Sequence, residues 1–120
     1  MAKIKKSTEF LGDLINCEFD LTKILYFRRQ IKNILEKYNI KVLNTSYYVF
    51  EPTKGFTLIF ILSGSHLAIH TWPEKQLANV DFYLCDLKKP KRPLIRKAFK
   101  EIIKLFLAQK VITKEIVRYT

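Results

Sequence analysis

The chain has 120 residues, enough for one hydrophobic core and too few for two. Hydrophobic residues make up 48% and aromatic residues 13%, which excludes a disordered chain, and no apolar run approaches the roughly 20 residues that cross a bilayer. Twenty-two basic against eleven acidic residues leave a net charge of +11, so a cationic substrate gains nothing from long-range steering.

The opening MAKIKKSTEF is basic with no apolar signal core behind it, and a cytoplasmic protein is expected. Cys17 and Cys85 are therefore expected to stay unpaired. Two Cys and two His without CxxC or HxxxH spacing carry no metal signature. Thr8 to Cys17 reads as a strand, with Cys17 in the core. Asp20 is placed to cap a helix. In that helix Leu21, Ile24, Leu25, Ile31, Ile34, Leu35 and Tyr38 recur at helical spacing with lysines and arginines between them, and Asn39 is its expected C-cap.

Lys41 to Glu51 is rich in β-branched and aromatic residues, hence a strand. Pro52 to Gly55 is a turn by composition. Phe56 to Leu62 is a continuous apolar run, fit for a strand buried on both faces. In the next strand Leu67, Ile69 and Thr71 alternate with Ala68, His70 and Trp72, so His70 and Trp72 share a face. Pro73 to Gln76 turns the chain, and Asn79 to Asp86 is another strand, with Val80, Phe82 and Leu84 on one side and Asp81, Tyr83 and Cys85 on the other.

Leu87 to Pro93 is a loop, and Pro93 can sit at the start of the second helix. Ile95, Phe99, Ile102, Ile103 and Phe106 form the apolar stripe of that helix. Val111 to Tyr119 reads as a final edge strand. From Lys88 onward there are eleven Lys or Arg and only two acids. The stretch lacks the aromatic-and-glycine motifs of RNA binders and any arginine-dominated run, so it reads as a solvated helix and loop rather than a nucleic-acid face.

The order is β-α-β-β-β-β-α-β. It predicts an α+β two-layer sandwich, a mainly antiparallel sheet with both helices on one face. The other face is expected to meet a partner subunit or to hold a pocket.

Between the two central strands lies Ser63-Gly64-Ser65, with both of the chain's histidines, His66 and His70, within five residues of Ser65. Packing alone does not ask for these residues. The run Ser65-His66-Leu67-Ala68-Ile69-His70-Thr71-Trp72-Pro73-Glu74, followed by Val80-Asp81 and Cys85, resembles the core of the short prokaryotic S-adenosylmethionine decarboxylases, whose pattern reads E-S-H-x-x-I-H-T-[WY]-P-E, then V-D and T-C-G. Phe50-x-Pro52 with Gly55-x-Thr57 is similar to that family's F-x-P and G-x-S. Asn16-Cys17 stands where the family has a strand-ending Gly-Cys.

The resemblance implies a self-processing, pyruvoyl-dependent decarboxylase that supplies the aminopropyl donor for spermidine synthesis. It implies cleavage between Gly64 and Ser65, with Ser65 becoming the pyruvoyl group whose ketone forms a Schiff base with the substrate amine. It also implies that His70 transfers protons in processing, that Thr57 assists with its hydroxyl, and that Cys85 reprotonates the product carbon. Glu74 is implied to bind ribose hydroxyls, and Phe50 and Trp72 to give adenine an aromatic surface. The implied assembly is a homodimer of processed chains with sites near the subunit interface. No role is assigned to His66.

The chain departs from the family pattern at several points. Gly64 stands where the family has Glu, and Asp86 where it has Gly. Lys75-Gln76-Leu77 lacks the family's aromatic and glycine residues, the C-terminus is short, and the charge is more basic. These differences leave open the same chemistry on arginine or ornithine, and an unprocessed homologue with a regulatory or binding role.

Overall fold

Alternating apolar residues in six segments and two amphipathic helices build the chain. The computed structural model describes residues 2–85 and 92–120. Its elements are β1 (Lys6–Cys17), α1 (Ile24–Lys37), β2 (Val42–Val49), β3 (Phe56–Leu62), β4 (Ser65–Trp72), β5 (Leu77–Leu84), α2 (Arg92–Lys104) and β6 (Ala108–Tyr119), with a 3₁₀ turn at Pro73–Lys75 between β4 and β5. The six strands form a single sheet in the order β2-β3-β4-β5-β1-β6, with every neighbouring pair antiparallel. Strands β2 to β5 run as successive hairpins, and the first strand is threaded between β5 and the last.

Strand parity then assigns the faces. Phe10 and Leu14, Leu58 and Phe60, Leu67 and Ile69, and Val80 and Phe82 are buried together with Phe27, Ile31 and Leu35 of α1 and Ile95, Phe99 and Ile102 of α2 in one core cluster. This is the expected α+β sandwich with both helices on one face. Gly12 of β1 lies under α2: a Cβ there would meet Phe99 Cζ at 3.3 Å and Ile103 Cδ1 at 3.5 Å, so its missing side chain lets the helix settle onto the sheet. Thr71 faces the core as a buried polar residue. Its hydroxyl donates to the Leu21 carbonyl at 3.0 Å and accepts from the Phe56 N–H at 3.1 Å, tying the entry to α1 to the hairpin.

Three expectations are corrected. The run Phe56–Leu62 is not buried on both faces: its burial alternates, and Ile59 and Ile61 are exposed because no layer covers that side of the sheet. Asp20 does not cap α1, which starts at Ile24; its carboxylate accepts instead from the backbone N–H and hydroxyl of Thr22, a local turn ahead of the helix. Leu25 is not on the buried stripe, because at about 100° per residue it lies round the side from Phe27, Ile31 and Leu35. The helix ends as expected near Asn39, which takes a left-handed conformation (φ 59). The Asn39 and Ile40 N–H groups bond the Glu36 and Leu35 carbonyls, closing a Schellman turn with Ile40 buried.

The strand expected over Asn79 to Asp86 is β5, two residues earlier, and β6 starts earlier than Val111 while lying at a sheet edge as expected. Asp86 and most of the expected loop from Leu87 lie outside the described residues. Among the described residues no helix is long and apolar enough to cross a membrane.

Phe27 is fully buried where the two layers meet, stacked on Phe106 at 4.6 Å and within 6 Å of Phe19 and Phe56. Phe27→Ala is expected to cost about 3–5 kcal/mol, read as a lowered urea midpoint at unchanged slope.

Candidate active site

The uncovered face of the sheet carries the even-numbered residues of β4 and the odd-numbered residues of β3 and β5. Pairing between strands sets Thr57 beside His70 and His70 beside Asn79. Thr57 Oγ1 lies 3.0 Å from His70 Nδ1. With Nδ1–H donated to the Thr57 hydroxyl oxygen, the imidazole is oriented and Nε2 keeps its lone pair for a second partner.

These two residues belong to a pocket of about 330 Å³ that is also lined by Phe50, Gly55, Trp72 and Glu74. The structure therefore brings together five of the residues singled out in the sequence. The Phe50–Gly55 loop reaches the pocket because Phe50 and Gly55 are joined by the Phe50 N–H on the Gly55 carbonyl at 2.7 Å. Gly55 packs so close to β4 that a Cβ would lie 2.6 Å from the Thr71 carbonyl oxygen.

The indole of Trp72 donates from Nε1 to Asn79 Oδ1 at 2.8 Å, and Asn79 Nδ2 donates to Asp13 Oδ1 at 2.8 Å. The ammonium of Lys75 stands 5.5 Å from the centre of the Trp72 ring. Neither Asn79 nor Asp13 is marked by any spacing in the sequence. The only trace is that each is a polar residue on an apolar strand.

Gly64, Ser65 and Cys85 lie elsewhere. They meet at the tight turn that closes the β3–β4 hairpin, five residues along β4 from His70, which at strand rise is roughly 16 Å. Gly64 has φ 64, the left-handed region that favours glycine. A Cβ on it would lie 3.1 Å from Cys85 Sγ, a contact closer than usual, so the absent side chain eases the approach of the thiol. The Ser65 hydroxyl donates to the Ser63 carbonyl at 3.2 Å and accepts from the Cys85 N–H at 3.0 Å. The Cys85 thiol reaches the same Ser63 carbonyl at 3.5 Å. His66 sits beside this turn with its ring 5.9 Å from that of Tyr83, whose hydroxyl is 3.2 Å from Ser7 Oγ. The predicted residues thus fall into two clusters at opposite ends of one hairpin, not into one site within the chain.

The two thiols differ. Cys17 is buried, and burial pushes its thiol up to about 11. Cys85 is half-buried. Among the described residues no three His, Cys, Asp or Glu side chains are gathered as a metal ion would require.

A model of the S-adenosylmethionine decarboxylase family matches residues 8–119. An S-adenosylmethionine decarboxylase proenzyme of Clostridium botulinum strain Langeland is 31% identical over 107 residues, 88% of this chain and 88% of the relative. A proenzyme of the same description from Aquifex aeolicus is 36% identical over 76 residues, 62% of this chain and 56% of its own length. The crystal structure of the Aquifex aeolicus adenosylmethionine decarboxylase superposes with a TM-score of 0.77 at 26% identity, covering 92% of this chain and 88% of that one.

At pH 8.5 a thiol reagent such as dithionitrobenzoate is expected to modify one thiol per folded chain quickly. That reaction disappears in Cys85→Ala, and the second thiol reacts only after unfolding.

Proposed function

The chain belongs to the S-adenosylmethionine decarboxylase family, and from that premise we propose that it is a self-cleaving, pyruvoyl-dependent decarboxylase of S-adenosylmethionine. The observation that carries this reading is the turn at Gly64–Ser65. It presents a glycine peptide at positive φ, a serine hydroxyl held by the Cys85 N–H, and a thiol against the glycine. The residues fit the pyruvoyl group, because it would be made from Ser65's own atoms, and the Cys85 N–H already holds the Ser65 hydroxyl at 3.0 Å.

Cleavage starts when Ser65 Oγ bonds to the Gly64 carbonyl carbon. The C–N bond breaks and the hydroxyl proton passes to the Ser65 nitrogen, giving an ester. Removal of the Ser65 Cα proton then breaks the Cβ–Oγ bond and releases Gly64 as a carboxylate. The enamine left at residue 65 tautomerises, takes up water and loses ammonia. The pyruvoyl group supplies a carbonyl that takes up an amine and withdraws electrons from the carbon losing carbon dioxide.

His70 takes the Ser65 Cα proton, and Thr57 holds the imidazole at Nδ1. Cys85 Sγ holds the proton returned to the product carbon. Phe50 and Trp72 flank the adenine, and Glu74 accepts from the ribose hydroxyls; all three line one pocket. With Gly64 in place of the family's Glu, residue 64 brings no carboxylate to the reacting peptide, and placement of the substrate falls to this pocket.

The separation of the two clusters bears on the assembly. A His70 roughly 16 Å along the strand from Ser65 does not reach it within one chain. Two chains packed open face to open face about a two-fold axis bring the Ser65–Cys85 turn of one to the Thr57–His70 end of the other. The same face exposes Ile59, Ile61, Ile112 and Ile116, apolar surface that such packing buries.

Three outcomes are expected. Under denaturing conditions the purified chain separates into fragments 1–64 and 65–120, the second without a free amino terminus, whereas Ser65→Ala stays whole. Cys85→Ala still cleaves, because the backbone N–H on Ser65 remains, but its carbon dioxide release from S-adenosylmethionine falls by about 100-fold or more. His70→Ala chains stay whole alone and are cleaved when coexpressed with Ser65→Ala chains; cleavage of His70→Ala alone, or none in the mixture, refutes the shared site.

A further inference from the structure

We infer that Asn79 and Asp13 are positioning residues for Trp72: a three-strand hydrogen-bonded relay, Asp13–Asn79–Trp72, holds the indole as a fixed wall of the pocket. This inference rests on the proposed function only for what the pocket binds. It runs across β1, β5 and β4, with Asn79 bridging at 2.8 Å on both sides. The ends of the relay dictate its middle. An indole N–H only donates and an ionised carboxylate only accepts, so the amide has to turn its oxygen to Trp72 and its nitrogen to Asp13. The reversed amide would set donor against donor and acceptor against acceptor.

The relay has a reason to exist. Within one chain Trp72 is 43% exposed, so the chain's own packing does not hold its ring. The Lys75 ammonium over the ring is on a flexible side chain and does not fix it. A ring that swings freely loses the benefit of stacking, because each binding event has to order it. Asn79 also neighbours His70 across the β4–β5 ladder, so the relay holds its indole on the same strand as the proton-transfer residue.

The exchange of partners gives a test. Asn79→Ala frees the indole. Asn79→Asp keeps the acceptor for Trp72 but turns a carboxylate against Asp13. Asp13→Asn combined with Asn79→Asp restores one donor and one acceptor between the two positions, and so rescues the relay if it is real. Trp72 is the chain's sole tryptophan, so its fluorescence reports on this ring alone.

In Asn79→Ala and Asn79→Asp, acrylamide quenching of Trp72 is expected to rise, and KM for S-adenosylmethionine to increase about three- to tenfold with a smaller change in kcat. The double exchange is expected to return both toward the parent values. Unchanged quenching and KM in both single variants, or a double exchange no better than Asn79→Asp alone, overturns the relay. A parent chain that neither cleaves nor decarboxylates overturns the proposed function instead, and the relay then stands or falls on the quenching comparison.

Discussion

A sheet that carries both of its helices on one side has to leave its other side to water or to another molecule. Here that constraint follows from the order of the strands. Four consecutive hairpin strands lie to one side of β1, and α1 and α2 return over the same face, sharing a core through Phe27, Phe99 and Phe106. Every second residue of β3, β4 and β5 is thereby committed to the core. The alternate residues, Thr57, His66, His70, Trp72, Asn79 and Asp81, are committed to the open face. Most polar side chains of these three strands are on that face because the core takes the other set.

Under the proposed function the β3–β4 hairpin has two working ends. One is a turn so tight that its glycine adopts φ 64, with a thiol 3.1 Å from where a Cβ would stand. The other is the Thr57–His70 pair inside a pocket walled by Phe50, Trp72 and Glu74. A stiff extended strand keeps these ends apart. The proposed two-fold assembly reconciles that separation with a single reaction. It also accounts for the isoleucines left exposed on the open face.

Much of the architecture could be read from periodicity. The helical stripe through Ile31 and Leu35, the alternation of Leu67, Ile69 and Thr71, and the left-handed stop at Asn39 are local signals, and each is local in the folded chain too. The misreadings have tertiary causes. Phe56–Leu62 looks buried on both sides because a run of apolar residues carries no record of which face receives a cover. Asp20 looks like a cap because a carboxylate directly before an apolar stripe fits a helix start, yet it spends its bonds on Thr22.

By itself the sequence determined the strands, the helices, the sandwich and the residue types of the candidate site, since these depend on the spacing of neighbours along the chain. It also carried the ten-residue run from Ser65 to Glu74, which marks the family. Only the tertiary structure decided which of those residues stand together. Strand register sets Asp13 against Asn79, 66 residues away, and strand length parts Ser65 from His70, only five residues away. Distance along the chain is a poor measure of distance in space once strands pair, and in this molecule it misleads in both directions.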